Sequence, residues 1–231
     1  MARISQYIPK SEREKLQFSR WVLLIINAAE AAGIGRLSRK QLHLLLFLSF
    51  ASCRFYGIAP LRQRARRTEQ GPYYRAAHIA LGGLALSGLV EVSEFSSHRS
   101  TEHLQFEGHL GATLPGLKAG RVLRSTQRGE ALYAFLLDLC LGVVEGAWHD
   151  DLAHKRSERR GLERAFEQDL TYRAALNRPG KMLFVEENPD DQETPTLAGL
   201  RKIRHFLDTK VSVNRRDVLT VYQRLLMKKA A

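Results

Sequence analysis

The stretch LALSGLVEVSEF (84–95) decides the fold class, because its hydrophobic period changes partway along. Up to Gly88 the apolar residues follow helical spacing, and a glycine just after the last of them is a common helix stop. From Leu89 onward apolar and polar residues alternate, which predicts a half-buried strand. The sequence therefore predicts a helix that ends directly in a strand, LVEVSEF (89–95), with LQFEGHL (104–110) as a returning strand.

Helix start signals precede the long apolar runs of the chain. Ser11 and Glu14 form an S-x-x-E capping box, which satisfies backbone donors at a helix start. Ser38 and Thr126 precede two further apolar runs, and Pro72 suits the first position of another helix. These signals predict helices in FSRWVLLIINAAEAA (18–32), RKQLHLLLFLSFASCRF (39–55), PYYRAAHIALGGLALSG (72–88) and QRGEALYAFLLDLCLGVVEGAW (127–148).

The segments between these helices are polar or rich in glycine. LRQRARRTEQG (61–71) has few apolar residues and predicts a loop or a frayed helical turn. GHLGATLPGLKAG (108–120) predicts a loop, and RVLRST (121–126) predicts a short strand that would close a long hairpin of residues 89–125. Gly82 and Gly83 indicate either the close approach of another helix or a kink.

The composition becomes more charged after residue 148. Residues 149–176 predict one charged amphipathic helical segment, and KMLFVEE (181–187) predicts a strand. An acidic linker follows near residues 186–196. Two more helices are predicted, LAGLRKIRHFLD (197–208) and RRDVLTVYQRLLMKK (215–229), the second of them capped by Asn214.

Three of these features resemble winged-helix domains. LALSGLVEVSEF is similar to their L-x-x-x-G-L-V junction, and the tip of the hairpin carries Ser97, His98 and Arg99, as a charged wing does. RVLRSTQRGEALYAFL (121–136) resembles the closing pattern y-x-L-T-x-x-G-x-x-L, with Thr126 and Gly129 at its Thr and Gly. The resemblance implies a mainly α fold with a small antiparallel β wing. It places a winged-helix domain with an N-terminal helical extension in residues 1–148 and a helical C-terminal region in residues 149–231.

The charge is large and uneven. The chain carries a formal net charge of +12. Residues 1–70 hold 13 Lys and Arg against 4 Asp and Glu, whereas residues 71–150 hold 6 against 8. Clustered positive charge favours a polyanionic partner. Cys53 and Cys140 both sit in apolar runs, which predicts buried thiols in a cytoplasmic protein, and no signal peptide or membrane span is expected.

The basic segment predicts an interface with double-stranded DNA. Four arginines in residues 61–67 stand beside two tyrosines, a chemistry suited to clamping phosphates and packing on sugars or bases. The resemblance implies that the third helix enters the major groove and that the wing touches phosphate or the minor groove. A solvated basic loop next to two half-buried tyrosines is the alternative. The predicted contacts are Arg62, Arg64, Arg66, Arg67, Tyr73, Tyr74, Arg75, His98 and Arg99.

No pattern in the sequence predicts catalysis, a cofactor or a metal ion. There is no G-x-x-x-x-G-K-[ST] phosphate loop and no G-x-S-x-G nucleophile elbow. The H-D-D-x-x-H run (149–154) spaces its two histidines poorly for one helix face. The carboxylates in a Pro-containing stretch predict a solvated linker rather than a nuclease site; they are Glu186, Glu187, Asp190, Asp191 and Glu193.

In size, charge and layout the chain resembles the small accessory subunits of SMC-type and related ABC ATPases. These include the middle components of bacterial antiphage systems of the Lamassu kind. The resemblance implies a non-catalytic accessory subunit of a multiprotein DNA-acting complex, with a large ATPase or an effector subunit as its partner. A homodimeric, sequence-specific transcriptional regulator is the second hypothesis. A winged helix that only docks proteins is the third.

Overall fold

The computed structural model describes residues 11–69, 71–99, 104–148, 157–186, 193–209 and 212–228. These residues are mainly helical, with two three-stranded antiparallel sheets, so the predicted mainly α class is confirmed. The helices are α1 (Glu12–Ala31), α2 (Arg39–Ser52), α3 (Arg75–Leu86), α4 (Leu114–Arg124), α5 (Gln127–Trp148), α6 (Ser157–Gln168), α7 (Leu170–Leu176), α8 (Pro195–Asp208) and α9 (Arg215–Lys228). The strands are β1 (Leu37–Ser38), β2 (Gln63–Thr68), β3 (Gly71–Tyr73), β4 (Val90–Arg99), β5 (Leu104–Ala112) and β6 (Met182–Glu186), and a 3₁₀ helix (Cys53–Tyr56) follows α2.

Local capping starts three helices where the sequence predicts them. Ser11 Oγ accepts a hydrogen bond from the backbone N–H of Glu14 at 3.2 Å, and a complete capping box begins α2 at Ser38. Thr126 Oγ1 accepts one from the backbone N–H of Gly129 at 3.1 Å, at the start of α5. The middle of α1, most of α2 and much of α5 are buried, and together they form the centre of the core. Cys53 and Cys140, on or next to these helices, are buried free thiols, as predicted.

The first sheet joins the predicted hairpin to a short strand that follows α1. β4 pairs with β5 from Val90 opposite Ala112 to Arg99 opposite Leu104. β5 also pairs with β1, so the strand order is β1-β5-β4. β5 contacts α1 and α2, and β4 contacts α3. The hairpin therefore lies beside a cluster of three helices.

The predicted loop and the predicted short strand after it are wrong, because residues 108–112 belong to β5 and residues 114–124 form α4. The hairpin ends at Ala112 rather than near residue 125, and residues 121–124 belong to α4. Thr113 caps this helix, because its Oγ1 accepts a hydrogen bond from the N–H of Gly116 at 3.1 Å. A Cβ on Gly116 would stand 2.0 Å from the carbonyl oxygen of Leu89. Glycine is needed there for close packing of a helix, and it does not mark a loop.

The second sheet corrects the prediction for the basic segment. Residues 63–68 are neither a loop nor a frayed turn, since they form β2, the middle strand between β3 and β6. β6 belongs to the region after residue 148, so the N-terminal and C-terminal parts of the chain share one sheet. Pro72 is not the first residue of a helix, because it lies in β3 and α3 begins at Arg75.

The C-terminal helices are joined by a buried carboxylate. The predicted continuous helix over residues 149–176 is broken, because α6 ends at Gln168 and Asp169 caps α7. Asp169 Oδ2 accepts hydrogen bonds from Thr196 Oγ1 at 2.7 Å and from the Tyr222 hydroxyl at 3.0 Å, so it links α7 to α8 and α9. The predicted cap of the last helix is confirmed: Asn214 Oδ1 accepts from the N–H of Asp217 at 2.9 Å.

Candidate nucleic-acid interface

Strand β2 sorts its side chains onto two faces. Gln63 and Ala65 are 1% and 0% exposed and point into the core, whereas Arg64 and Arg66 are partly exposed. Successive side chains of a strand alternate between faces, so the two arginines share the outer face, roughly 7 Å apart along the strand. The basic segment is therefore a strand with a charged outer face, which we call the β2 face.

Tyr73 extends the β2 face toward two helices. It stands directly opposite Arg66 in the β2–β3 pairing, and paired residues project to the same side of a sheet. The centroid of its ring lies 5.1 Å from that of His43 on α2 and 6.1 Å from that of His78 on α3. The β2 face thus continues onto the N-terminal halves of α2 and α3.

Positive charge surrounds His78 at this junction. Burial lowers the pKa of His78, and the nearby Arg39 and Arg75 lower it further. Burial lowers the pKa of His43 to about 3, with smaller effects from His78 and Arg39. Neutral His43 accepts a hydrogen bond at Nδ1 from the backbone N–H of Tyr74 at 3.2 Å, which positions the start of α3. Sequence reasoning missed this role, and the one available signal was a histidine inside an otherwise apolar helical run.

Tyr74 does not belong to the predicted interface, and its inclusion there is wrong. Its side chain is 1% exposed, and its ring packs against Phe50 with the centroids 5.5 Å apart. Burial raises the pKa of its hydroxyl, and the charge of Asp169 raises it further. Among the described residues the hydroxyl has no hydrogen-bond partner. Adjacent residues of an extended chain face opposite sides, so strand alternation would have separated Tyr74 from Tyr73.

The other predicted contacts fall on two separate sheets. Arg62, Arg67 and Arg75 are exposed on or beside β2 and at the start of α3. His98 and Arg99 lie at the far end of β4, in the other sheet, and residues 100–103 of the wing tip fall outside the described ranges. The structure therefore places Arg64 and Arg66 together on the β2 face, while contact of any of these residues with DNA stays a prediction.

The base of the β4–β5 hairpin is fixed by α1 and the turn after it. Glu30 Oε1 accepts a hydrogen bond from the backbone N–H of Ala112 at 2.7 Å. The guanidinium of Arg36 donates to Ser93 Oγ at 2.6 Å and also pairs with Glu91. The pair with Glu91 is exposed, so it contributes at most about 1 kcal/mol. Arg36 therefore orients the hairpin and is not counted in the β2 face.

The ranges that the structure describes contain no group of three or more His, Cys, Asp or Glu able to hold a metal ion. The H-D-D-x-x-H run lies outside them, as do residues 187–192 of the acidic linker. Glu193, at the end of that linker, pairs with Arg201 at 2.6 Å. Within the same ranges, every helix is too short or too polar to cross a membrane.

Comparison of the chain with protein-family models, with curated proteins and with solved structures finds no match.

Proposed function

We propose that this chain is a non-catalytic winged-helix subunit of a multiprotein DNA-acting complex. It contacts double-stranded DNA through the β2 face. Its protein partner is a large ATPase or effector subunit of the same cytoplasmic complex, and the complex acts in antiphage defence. The observation that carries the proposal is the outward row of Arg64 and Arg66, with Tyr73 opposite Arg66 and packed near His78.

The order and pairing of the elements support the winged-helix part of the proposal. Helix, short strand and two helices precede an antiparallel hairpin, and the returning strand β5 pairs with both β1 and β4. The hairpin packs beside α1, α2 and α3. In this description β2 and β3 are an insertion between the second and third helices, and the basic charge of the site lies mainly in that insertion.

Electrostatics support a polyanionic ligand. The net charge of +12 and the concentration of arginine in residues 61–67 produce a positive field on one region of the surface. Burial is the main cause of the lowered pKa of His78, and the nearby Arg39 and Arg75 lower it further, because a positive charge disfavours a second one beside it. A duplex bound by about six phosphate contacts would lose affinity steeply as salt rises.

Exposed apolar side chains support a protein partner. Leu86 at the end of α3 is 93% exposed, and Leu114 and Val122 on α4 are 76% and 70% exposed. Residues eight apart, such as Leu114 and Val122, share one face of a helix. Large apolar side chains on one exposed helix face are typical of surfaces that another protein covers.

Copurification with a chromosomally tagged chain at its natural expression level tests the proposal. Recovery of a stoichiometric large ATPase would support the subunit, whereas recovery of a homodimer alone would contradict it and favour the transcriptional regulator. The DNA contact is tested separately by fluorescence anisotropy of the full-length chain with a labelled duplex. Absence of binding at low salt would remove DNA from the proposal and leave a protein-docking winged helix.

A further inference from the structure

Beyond its first turn, helix α3 exposes none of the side chains that usually read bases. Base edges in the major groove are recognised mainly through hydrogen bonds from Arg, Lys, Asn, Gln, Asp, Glu, Ser or Thr. After its first turn the outward residues of α3 are Ile79, Gly82, Gly83 and Leu86, and none has a hydrogen-bonding side chain. The other two exposed residues, Arg75 and His78, lie at the end of the helix that adjoins the β2 face.

The paired glycines of α3 do not serve as a seat for another described element. No atom of the described residues would lie within 4 Å of a Cβ built on Gly82 or Gly83. The prediction that these glycines admit a closely packed helix therefore finds no such helix in the described parts of this chain. A glycine also has no side chain to hydrogen-bond with the donors and acceptors that base pairs present in the major groove.

The β2 face offers the opposite chemistry. Arg64 and Arg66 stand roughly 7 Å apart on one strand, and the ring of Tyr73 lies beside them. Arginine on an exposed face suits phosphate, which is present at every step of a duplex and carries no sequence information. An aromatic ring next to such contacts can pack on the sugars.

Around Arg66 the sheet is too wide to enter a groove. A major groove admits one helix or a two-stranded ribbon, whereas β2 is the middle of three strands. β6 pairs with residues 63–66 and β3 with residues 66–68, so Arg66 has a strand on both sides, whereas Arg64 lies opposite Val185 of β6 alone. Arg66 is therefore placed to meet the outer ridge of the duplex, where the phosphates lie, and Arg64 follows it on the same face of the strand.

We propose that this chain binds duplex DNA without regard to sequence, through phosphate contacts from Arg64 and Arg66 on the β2 face, and that α3 beyond its first turn reads no bases. The inference rests on the proposed function, because it takes DNA as the ligand. It goes beyond that proposal in stating that the contacts are made to phosphates and are independent of base sequence.

Fluorescence anisotropy of the full-length chain with labelled duplexes of equal length and unrelated sequence tests the inference. We expect affinities within about threefold of one another, because specific sites are typically preferred by about a thousandfold or more. Arg64→Gln/Arg66→Gln should weaken binding to every duplex by about tenfold, and should reduce the salt slope by about two between roughly 50 and 200 mM salt.

Two further variants keep the result interpretable. Lys118→Gln/Arg121→Gln removes the same charge from exposed positions of α4 and should change affinity by less than about twofold. Arg39→Gln/Arg75→Gln leaves β2 intact while removing charge from the adjoining helices, so it tests the surface even where the strand variant fails to fold. It should weaken binding to all duplexes to a similar extent.

The outcomes separate the inference from the proposed function. One duplex preferred by about a thousandfold overturns the inference, while DNA contact stands. The inference is also overturned if the α4 variant loses as much affinity as the Arg64→Gln/Arg66→Gln variant. It is overturned as well if neither that strand variant nor the Arg39→Gln/Arg75→Gln variant loses affinity. No binding to any duplex at low salt overturns both the inference and the DNA contact. Equal affinity for all duplexes, weakened by the substitutions on the β2 face and unchanged in the α4 variant, supports both the inference and the DNA contact.

Discussion

Replacing Asp169 with alanine tests how strongly one buried carboxylate joins α7, α8 and α9. Its Oδ1 accepts from the backbone N–H groups of Thr171 and Tyr172 at 2.9 and 3.1 Å. Its Oδ2 accepts from the hydroxyls of Thr196 and Tyr222 at 2.7 and 3.0 Å. All four donors lose this acceptor in the alanine variant, and the site is fully buried, so water does not replace it readily.

The expected cost is large for a single substitution. Breaking a buried polar network by removing one partner costs about 3–5 kcal/mol, out of a total stability of about 5–15 kcal/mol for an ordinary domain. For a chain of this size the melting temperature should fall by about 6–20 °C. Asp169→Asn keeps an oxygen for the two backbone N–H groups and should cost less, about 1–3 kcal/mol.

The pH dependence identifies the carboxylate as the cause. Burial raises the pKa of Asp169 in the folded chain, and the four hydrogen bonds oppose this only in part. At a pH between the ordinary carboxyl pKa and the raised folded pKa, the folded state therefore holds a proton that the unfolded state has lost. The contribution of Asp169 to stability is present below the ordinary carboxyl pKa and is lost as pH rises through the folded pKa. The difference in melting temperature between wild type and Asp169→Asn should shrink over that range.

Thermal melts followed by circular dichroism from acid to neutral pH supply the measurement. Glu167→Gln is the matched control, because Glu167 is exposed and lies only two residues away, and it should change stability by less than about 0.5 kcal/mol. A melting temperature for Asp169→Ala within the error of the wild-type value would refute the reasoning. So would a pH-independent difference between the wild type and Asp169→Asn.

Two more predictions follow from the helices. Gly129→Ala would place a Cβ 1.8 Å from the Leu123 carbonyl oxygen, so it should lower the free energy of unfolding in urea by about 1–3 kcal/mol. Gly82 has open space around it among the described residues, so Gly82→Ala should raise that free energy by about 0.5–1 kcal/mol. Equal effects of the two substitutions would contradict the packing argument. His43 has its pKa lowered to about 3, so its ring resonances should not titrate between pH 5 and 8 by NMR. Its contribution to stability should be lost as pH falls below about 6.5, where the unfolded imidazole takes up a proton that the folded one does not.

The sequence alone determined most of the helices and one hairpin. Ser11, Ser38 and Thr126 could be identified as helix starts because a cap acts over three residues, so its signal is contained in the local sequence. The junction of α3 with β4 was visible for the same reason, since the change of period falls within one short stretch. Charge clustering also placed Arg64 and Arg66 among the candidate DNA contacts, and their contact with DNA stays a prediction.

The glycines between the hairpin and α5 led to a wrong prediction of a loop. Its frequency in residues 108–120 predicted a loop, although Gly116 and Gly120 lie in a helix packed so closely that a Cβ would meet Leu89 or Asn27. The sequence alone does not distinguish a glycine in a flexible loop from a glycine at a close contact between two elements. Only the position of the neighbouring element separates them.

Tertiary structure decided that the basic segment is a strand and which of its side chains face outward. The strand partner of β2, β6, lies more than a hundred residues further along the chain, so no local pattern records the pairing. With that pairing, Gln63 and Ala65 are core residues and Arg64 and Arg66 face outward. Helices and turns satisfy their backbone within a few residues, and sheets satisfy theirs across the whole chain.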